Sequence, residues 1–116
     1  MLGVDIIEIS RIEKVMQENP RFLERIFTAT EKAWATEYYT KRPAQHLAAC
    51  WAAKEAFFKA TNLKFKFGQI QVVHHSNRKP YLQSVNQSEF DIDWSNVQLS
   101  ISHNNDYAIA VVILIK

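Results

Sequence analysis

Trp51-Ala52-Ala53-Lys54-Glu55-Ala56-Phe57-Phe58-Lys59 sits inside the stretch that decides the fold. The run around it, Ala44 to Ala60, is rich in alanine, the residue of highest helix propensity, and Arg42-Pro43 precedes it with a proline suited to a first helical turn. The pattern predicts one long helix. Its small Ala48, Ala49, Ala52, Ala53 and Ala56 side chains permit close packing, so the helix is expected to be buried over much of its circumference. Residues four apart on a helix are neighbours, which puts Glu55 and Lys59 on one face. Spacing alone leaves two readings open. The pair is either a solvated intrahelical ion pair contributing a few tenths of a kcal/mol, or a carboxylate and an ammonium that meet one polyanion, the first through a divalent cation and the second directly. On a mostly buried helix the second reading gains weight.

A second acidic position lies near the start of the chain. Leu2 to Ile9 reads as a strand, and Asp5 is its first interior charge. Aspartate is depleted from strands, so Asp5 must face solvent or be held by a cation or by hydrogen-bond donors.

Between these segments, Ser10-x-x-Glu13 is a capping-box signal, and Ile12, Val15 and Met16 recur at helical spacing. Pro20 interrupts that helix, a further turn runs through Phe22, Leu23 and Ile26, and Thr28-x-x-Glu31 opens another helix through about Tyr39. Trp34 and Tyr38, four apart, read as a core pair. From Gly68 the period switches to two with β-branched residues: Ile70 and Val72, Tyr81 to Val85, Val97 to Ile101, and Tyr107 to Ile115. Three or four antiparallel strands are predicted, with turns at Ser76–Pro80 and His103–Asp106 and a surface loop at Asn86–Asp93. The fold class is therefore α+β: an N-terminal strand and helices, and one long Ala-rich helix packed on a small antiparallel sheet.

With 116 residues the chain is expected to form one domain, residues 1–116, burying roughly two-thirds of its unfolded surface. Hydrophobic residues at 47% and charged residues at 22% argue against disorder. A net charge of +2, with acidic residues interleaving the basic ones, argues against a nucleic-acid binder. Arg11, Lys14, Arg21 and Arg25 nevertheless cluster in the first quarter, diluted by Glu8, Glu13, Glu18 and Glu24. Cys50 is the only cysteine, so no intramolecular disulfide forms, and its expected role is small apolar packing. The start lacks a basic signal-peptide region, and the apolar run Ala108–Ile115 is far short of the ~20 residues that span a bilayer; a cytoplasmic location with no membrane attachment is expected. His46, His74 and His75 lack the cysteine or carboxylate companions of a zinc set and read as surface residues.

Gly3-Val4-Asp5 and the aromatic-x-x-Lys-Glu-Ala-x-x-Lys helix from Trp51 to Lys59, in this order, resemble the holo-acyl-carrier-protein synthase family of 4'-phosphopantetheinyl transferases over nearly the whole chain. Further matches follow in family order: Arg11, Arg25-Ile26-Phe27-Thr28 with Glu31, Arg78-Lys79-Pro80 where the family has Gly-Lys-Pro, and Ser100-Ile101-Ser102-His103. The resemblance implies transfer of the phosphopantetheine arm of coenzyme A onto a serine of acyl carrier protein. It also implies Asp5 and Glu55 as Mg2+ ligands, Glu55 and Lys59 as catalytic groups, and Lys54, Lys59 and His103 as contacts of coenzyme A. Arg11, Arg21, Phe22 and Arg25 would dock the carrier protein, and members of this short type assemble as homotrimers with sites between subunits. An impaired relative that binds carrier protein without transfer is the alternative. Two departures stand out. Cys50 replaces an arginine, and Asn62-Leu63-Lys64-Phe65-Lys66 replaces a glycine-rich turn; both predict weaker binding of coenzyme A.

Overall fold

A computed structural model describes residues 1–86 and 89–115. The chain runs β1 (Leu2–Glu8), α1 (Ile9–Glu18), α2 (Pro20–Ile26), α3 (Ala29–Tyr38), α4 (Pro43–Thr61), β2 (Ile70–His74), β3 (Pro80–Ser84), β4 (Val97–His103) and β5 (Tyr107–Leu114). This is the expected α+β class with its long Ala-rich helix, but the strands form two sheets rather than one. A three-stranded sheet has the order β1-β5-β4, and β2 and β3 form a separate hairpin. Of the loop expected at Asn86–Asp93, residues 87 and 88 lie outside the described residues.

Local chemistry accounts for most boundaries. Thr28 caps α3 through its hydroxyl, and Glu31 returns the bond to the Thr28 amide, so the predicted capping box is present. Asn19 caps α2 by accepting from the Phe22 amide, with Pro20 at the first helical position. The predicted box at Ser10 is not the start of α1. That helix begins two residues earlier, on an extended Glu8 whose side chain makes no cap bond, because the buried Ile9 turns directly out of the strand.

α4 is the centre of the core and packs most extensively on β1 and β5. Ala48, Ala49, Ala52, Ala53 and Ala56 are all buried, and they meet a strand face that is also small, with Ala108 and Ala110 fully buried on β5. Gly3 makes the approach closer still: a Cβ there would fall 1.9 Å from the Ala56 carbonyl oxygen. Only hydrogen fits at that point.

The β1-β5-β4 register puts Asp5 opposite Ala110, itself opposite Ile101. Side chains alternate across a strand, so Gly3, Asp5 and Ile7 face α4 while Leu2, Val4 and Ile6 face outward. That outer face stays apolar and open: Leu2 is 66% exposed, Ile6 60% and Val4 49%.

Candidate active site at the β1 and α4 crossing

Because β1 crosses α4 at Gly3, the next inward residue, Asp5, arrives beside the last turns of the helix. Lys59 Nζ donates to Asp5 Oδ1 at 3.0 Å and to the Val4 carbonyl at 3.1 Å. The Asp5 side chain is only 15% exposed, and Lys59 is 51% exposed on the solvent side of it. Glu55 lies one turn back on the same helix face. Burial and the neighbouring Asp5 carboxylate push its carboxyl up from the ordinary value, with Lys59 opposing. The structure therefore brings Asp5, Glu55 and Lys59 together. Among the described residues, no third histidine, cysteine or carboxylate joins the two carboxylates. Two hard oxygen donors at one place suit a small divalent cation that takes its other ligands from phosphate and water.

Lys54, four positions from Cys50 and next to Glu55, is turned away from this group. Its ammonium is fully buried and bonds Glu31 Oε1 at 2.7 Å and the Ile26 carbonyl. Glu31 Oε1 also accepts from the Thr28 amide, and Oε2 accepts from the Val72 amide. The expected contact of Lys54 with coenzyme A is thus corrected: consecutive residues on a helix point about 100° apart, and position 54 faces the core. Cys50, also fully buried, lies on the same side, 3.4 Å from His46 Nε2. Its departure from the family arginine is a change in packing at the core, not at the Asp5 face.

His46 is corrected as well. It is 2% exposed rather than superficial, and burial pushes its pKa down to about 3, helped by His74 and His103. His74 is half-buried and lowered by burial, and of the three histidines expected at the surface His75 alone is exposed. Trp34 and Tyr38 do meet, tilted with ring centroids 4.1 Å apart, but Tyr38 is 41% exposed, so the pair lies at the surface, where His74 stacks on Trp34 at 3.8 Å, and is not a core pair. Sequence periodicity placed the rings on one face correctly and misjudged what covers that face.

His103 ends β4 on the solvent, 3.4 Å from the Tyr39 hydroxyl, and lines a shallow cavity of about 220 Å3 with Ile6, Ser102, Asn104, Tyr107 and Ile109. Within one chain it stands apart from Asp5, two residues along and two strands over: His103 pairs with Ala108, which pairs with Ile7. Arg11 on α1 and Arg21, Phe22 and Arg25 on α2 are all exposed, and Phe22 leans on Trp51 with ring centroids 6.4 Å apart. Tyr39 was not singled out in the sequence, and neither was the second role of Glu31 as the partner of Lys54. Only the capping half of that role is written in local spacing.

Among the described residues, two positions carry a positive φ without glycine. Asn62, the C-cap of α4, has φ 55°, and Arg78 has φ 70°. They fall where the family has its glycine-rich turn and the glycine of Gly-Lys-Pro. Asparagine tolerates this region well, and Arg78 lays its guanidinium 4.8 Å from the Tyr38 ring centre, a contact that offsets part of the backbone strain.

Comparison with known proteins agrees along nearly the whole chain. Residues 1–112 match the family model described as the 4'-phosphopantetheinyl transferase superfamily. A holo-[acyl-carrier-protein] synthase from Geobacillus sp. (strain WCH70) is 38% identical over 97% of this chain and 93% of that protein. One from Streptococcus pyogenes serotype M28 is 40% identical over 97% and 92%. Among solved structures, a holo-(acyl-carrier-protein) synthase from Bacillus anthracis in complex with CoA (3',5'-ADP) superimposes with a TM-score of 0.77 at 35% identity, covering 97% of this chain and 93% of that one. The Helicobacter pylori holo-[acyl-carrier-protein] synthase in complex with coenzyme A gives 0.77 at 31% identity, covering 98% and 99%.

Proposed function

Because this chain belongs to the 4'-phosphopantetheinyl transferase superfamily, we propose that it moves the 4'-phosphopantetheine arm of coenzyme A onto a serine of apo acyl carrier protein and releases adenosine 3',5'-bisphosphate, in support of fatty acid biosynthesis. One observation carries this reading: Asp5 of the first strand meets Glu55 and Lys59, some fifty residues further along, at one crossing of strand and helix.

In this reading Asp5 and Glu55 hold a Mg2+ ion. When bound, the ion neutralises charge on the phosphates of coenzyme A. Phosphoryl transfer asks the protein mainly for positioning and for cations where charge develops, so the chain's own contribution lies in where its charges are fixed. Lys59, anchored on the last turn of α4, supplies an ammonium to the phosphate oxygens. Glu55, its carboxyl pushed up from the ordinary value by burial and by Asp5, is in this reading a catalytic group as well as a metal ligand. Lys54 takes no part in binding; through Glu31 it fixes the rotation of α4 that presents Glu55 and Lys59 to β1.

Arg11, Arg21 and Arg25, with Phe22, form the docking surface for the acidic face of the carrier protein, where charge complementarity raises the association rate and weakens with salt. The assembly is a homotrimer. What supports this is the open apolar face of β1 and β5, and the separation of His103 from Asp5 within one chain, which lets His103 of a neighbouring subunit complete the coenzyme A site. The protein acts as a single transferase domain in the cytoplasm; among the described residues no helix is long and apolar enough to cross a membrane.

The test is incubation with coenzyme A, Mg2+ and apo carrier protein, followed by mass spectrometry of the carrier. The phosphopantetheine mass is expected on the serine. Asp5→Ala and Glu55→Ala are each expected to abolish Mg2+-dependent transfer with unchanged circular dichroism. No mass gain with the parent protein would favour the impaired relative, and parental rates in either variant would remove these carboxylates from the mechanism.

A further inference from the structure

Lys59 has a position that the transfer reaction alone does not require. A lysine whose task is to meet phosphate needs only to reach solvent near the phosphates. Here its ammonium is drawn inward and shared between Asp5 Oδ1 and the Val4 carbonyl, while the Asp5 carboxylate beneath it is mostly covered. Glu55 stands on the same helical face, close enough for the Asp5 charge to act on it. Two carboxylates thus share one unit of positive charge, supplied by a side chain with a long flexible stem and three rotating donors.

From this geometry we propose that Lys59 is an internal counter-cation of Asp5, which a divalent metal displaces, so that loading of the site hands the ammonium over to the phosphates of coenzyme A. This rests on the reading of Asp5 and Glu55 as the metal-holding pair. An ion that takes oxygen from Asp5 comes within a few ångströms of the ammonium, and two cations at that separation repel strongly even in a watery environment. The ammonium retreats along its stem. Bare, it pays for the move by losing a carboxylate. With coenzyme A bound, the pyrophosphate oxygens receive it, and the same lysine then supports the metal by holding the metal's phosphate ligand in place.

The consequence is a reversal of sign. Lys59 weakens metal binding when the protein is alone and strengthens it when coenzyme A is present. A lysine acting only on phosphate would leave metal binding to the free protein unchanged, and a lysine serving only to orient Asp5 would strengthen binding in both conditions.

The experiment follows Mn2+ binding by electron paramagnetic resonance, which reads free ion directly and needs no turnover. The parent protein, Lys59→Ala and Lys59→Met are titrated with Mn2+ alone and again with saturating coenzyme A. Lys59→Met retains most of the stem's packing and guards against a local collapse. Without coenzyme A both variants are expected to bind Mn2+ more tightly, by roughly tenfold at low salt. With coenzyme A they are expected to bind it more weakly than the parent. Equal or weaker binding by both variants in the absence of coenzyme A overturns the inference and leaves the metal-holding pair intact. Failure of the parent and both variants to bind Mn2+ under either condition overturns that pair, and the inference with it.

Discussion

Helix α4 carries two polar stripes, and they answer the same physical problem in opposite ways. The inner stripe, His46, Cys50 and Lys54, recurs every fourth residue and faces α3 and β2; all three side chains are buried. The outer stripe, Glu55 and Lys59, faces β1 and keeps access to solvent. Each stripe contains one lysine paired with a carboxylate from another element. Lys54 and Glu31 meet at 2.7 Å with both side chains at 0% exposure, and Lys59 and Asp5 at 3.0 Å with 51% and 15%. The inner pair is also tied to backbone on both sides, Lys54 donating to the Ile26 carbonyl and Glu31 accepting from the Thr28 and Val72 amides. The outer pair leaves oxygens open. A closed pair holds structure, and an open one is available for chemistry.

The difference should be largest in stability. Lys54→Met leaves Glu31 as a buried carboxylate without its cation, a change that costs about 3–5 kcal/mol. Urea denaturation of the parent and the variant measures it directly. A loss below about 1 kcal/mol would mean that the inner pair behaves like a surface pair, and the contrast between the stripes would fail.

The inner stripe also predicts acid sensitivity. His46 solves burial by staying neutral, with its pKa down from the ordinary 6.5 to about 3, and the titratable groups around it are His74 and His103, with Cys50 and the Tyr39 ring in contact. Since the folded pKa lies below the unfolded one, the unfolded chain binds the extra proton. The stability is fully present above pH 6.5 and is lost progressively as pH falls toward about 3. The slope approaches about 1.4 kcal/mol per pH unit over that window. His74, lowered by burial, adds to the upper part. Denaturation curves of His46→Leu between pH 6.5 and 4.5, above the range where Glu13 titrates, are expected to be flatter than the parent's. A parallel pH dependence would show that His46 is protonated without unfolding.

The long helix, the strand at Asp5, the capping box at Thr28 and the strands after Gly68 were legible in the sequence, because each is written in local period or local capping chemistry. The outer stripe was legible through its resemblance to a family motif and through the helical spacing of Glu55 and Lys59. What spacing could not convey is which way α4 is rotated. Lys54 and Glu55 are adjacent in sequence, and the choice of which one faces the core is made by Glu31, twenty-three residues away, and by the close crossing at Gly3. The burial of His46 was hidden for the same reason. It lies on the face closed by α3 and β2, and nothing in its immediate neighbours distinguishes that face from the solvent side. The split into two sheets was equally invisible, since β3 and β4 alternate as if they paired.

The smallest expected effect sharpens the contrast most. Lys59→Met removes an ion pair that is half open to water, and such pairs contribute only about 0.2–1 kcal/mol. The methionine stem still covers β1, so the unfolding midpoint should move little. If the outer stripe is the chemical one, the same substitution must nevertheless reduce phosphopantetheine transfer by orders of magnitude, because an ammonium fixed beside a developing phosphate charge acts on the transition state more than on the folded state. Urea midpoints and initial rates on one preparation compare the two directly. A variant that lost several kcal/mol of stability would place Lys59 with Lys54 among the structural residues. One that kept both stability and rate would leave α4 with no chemical group on that stripe beyond Glu55.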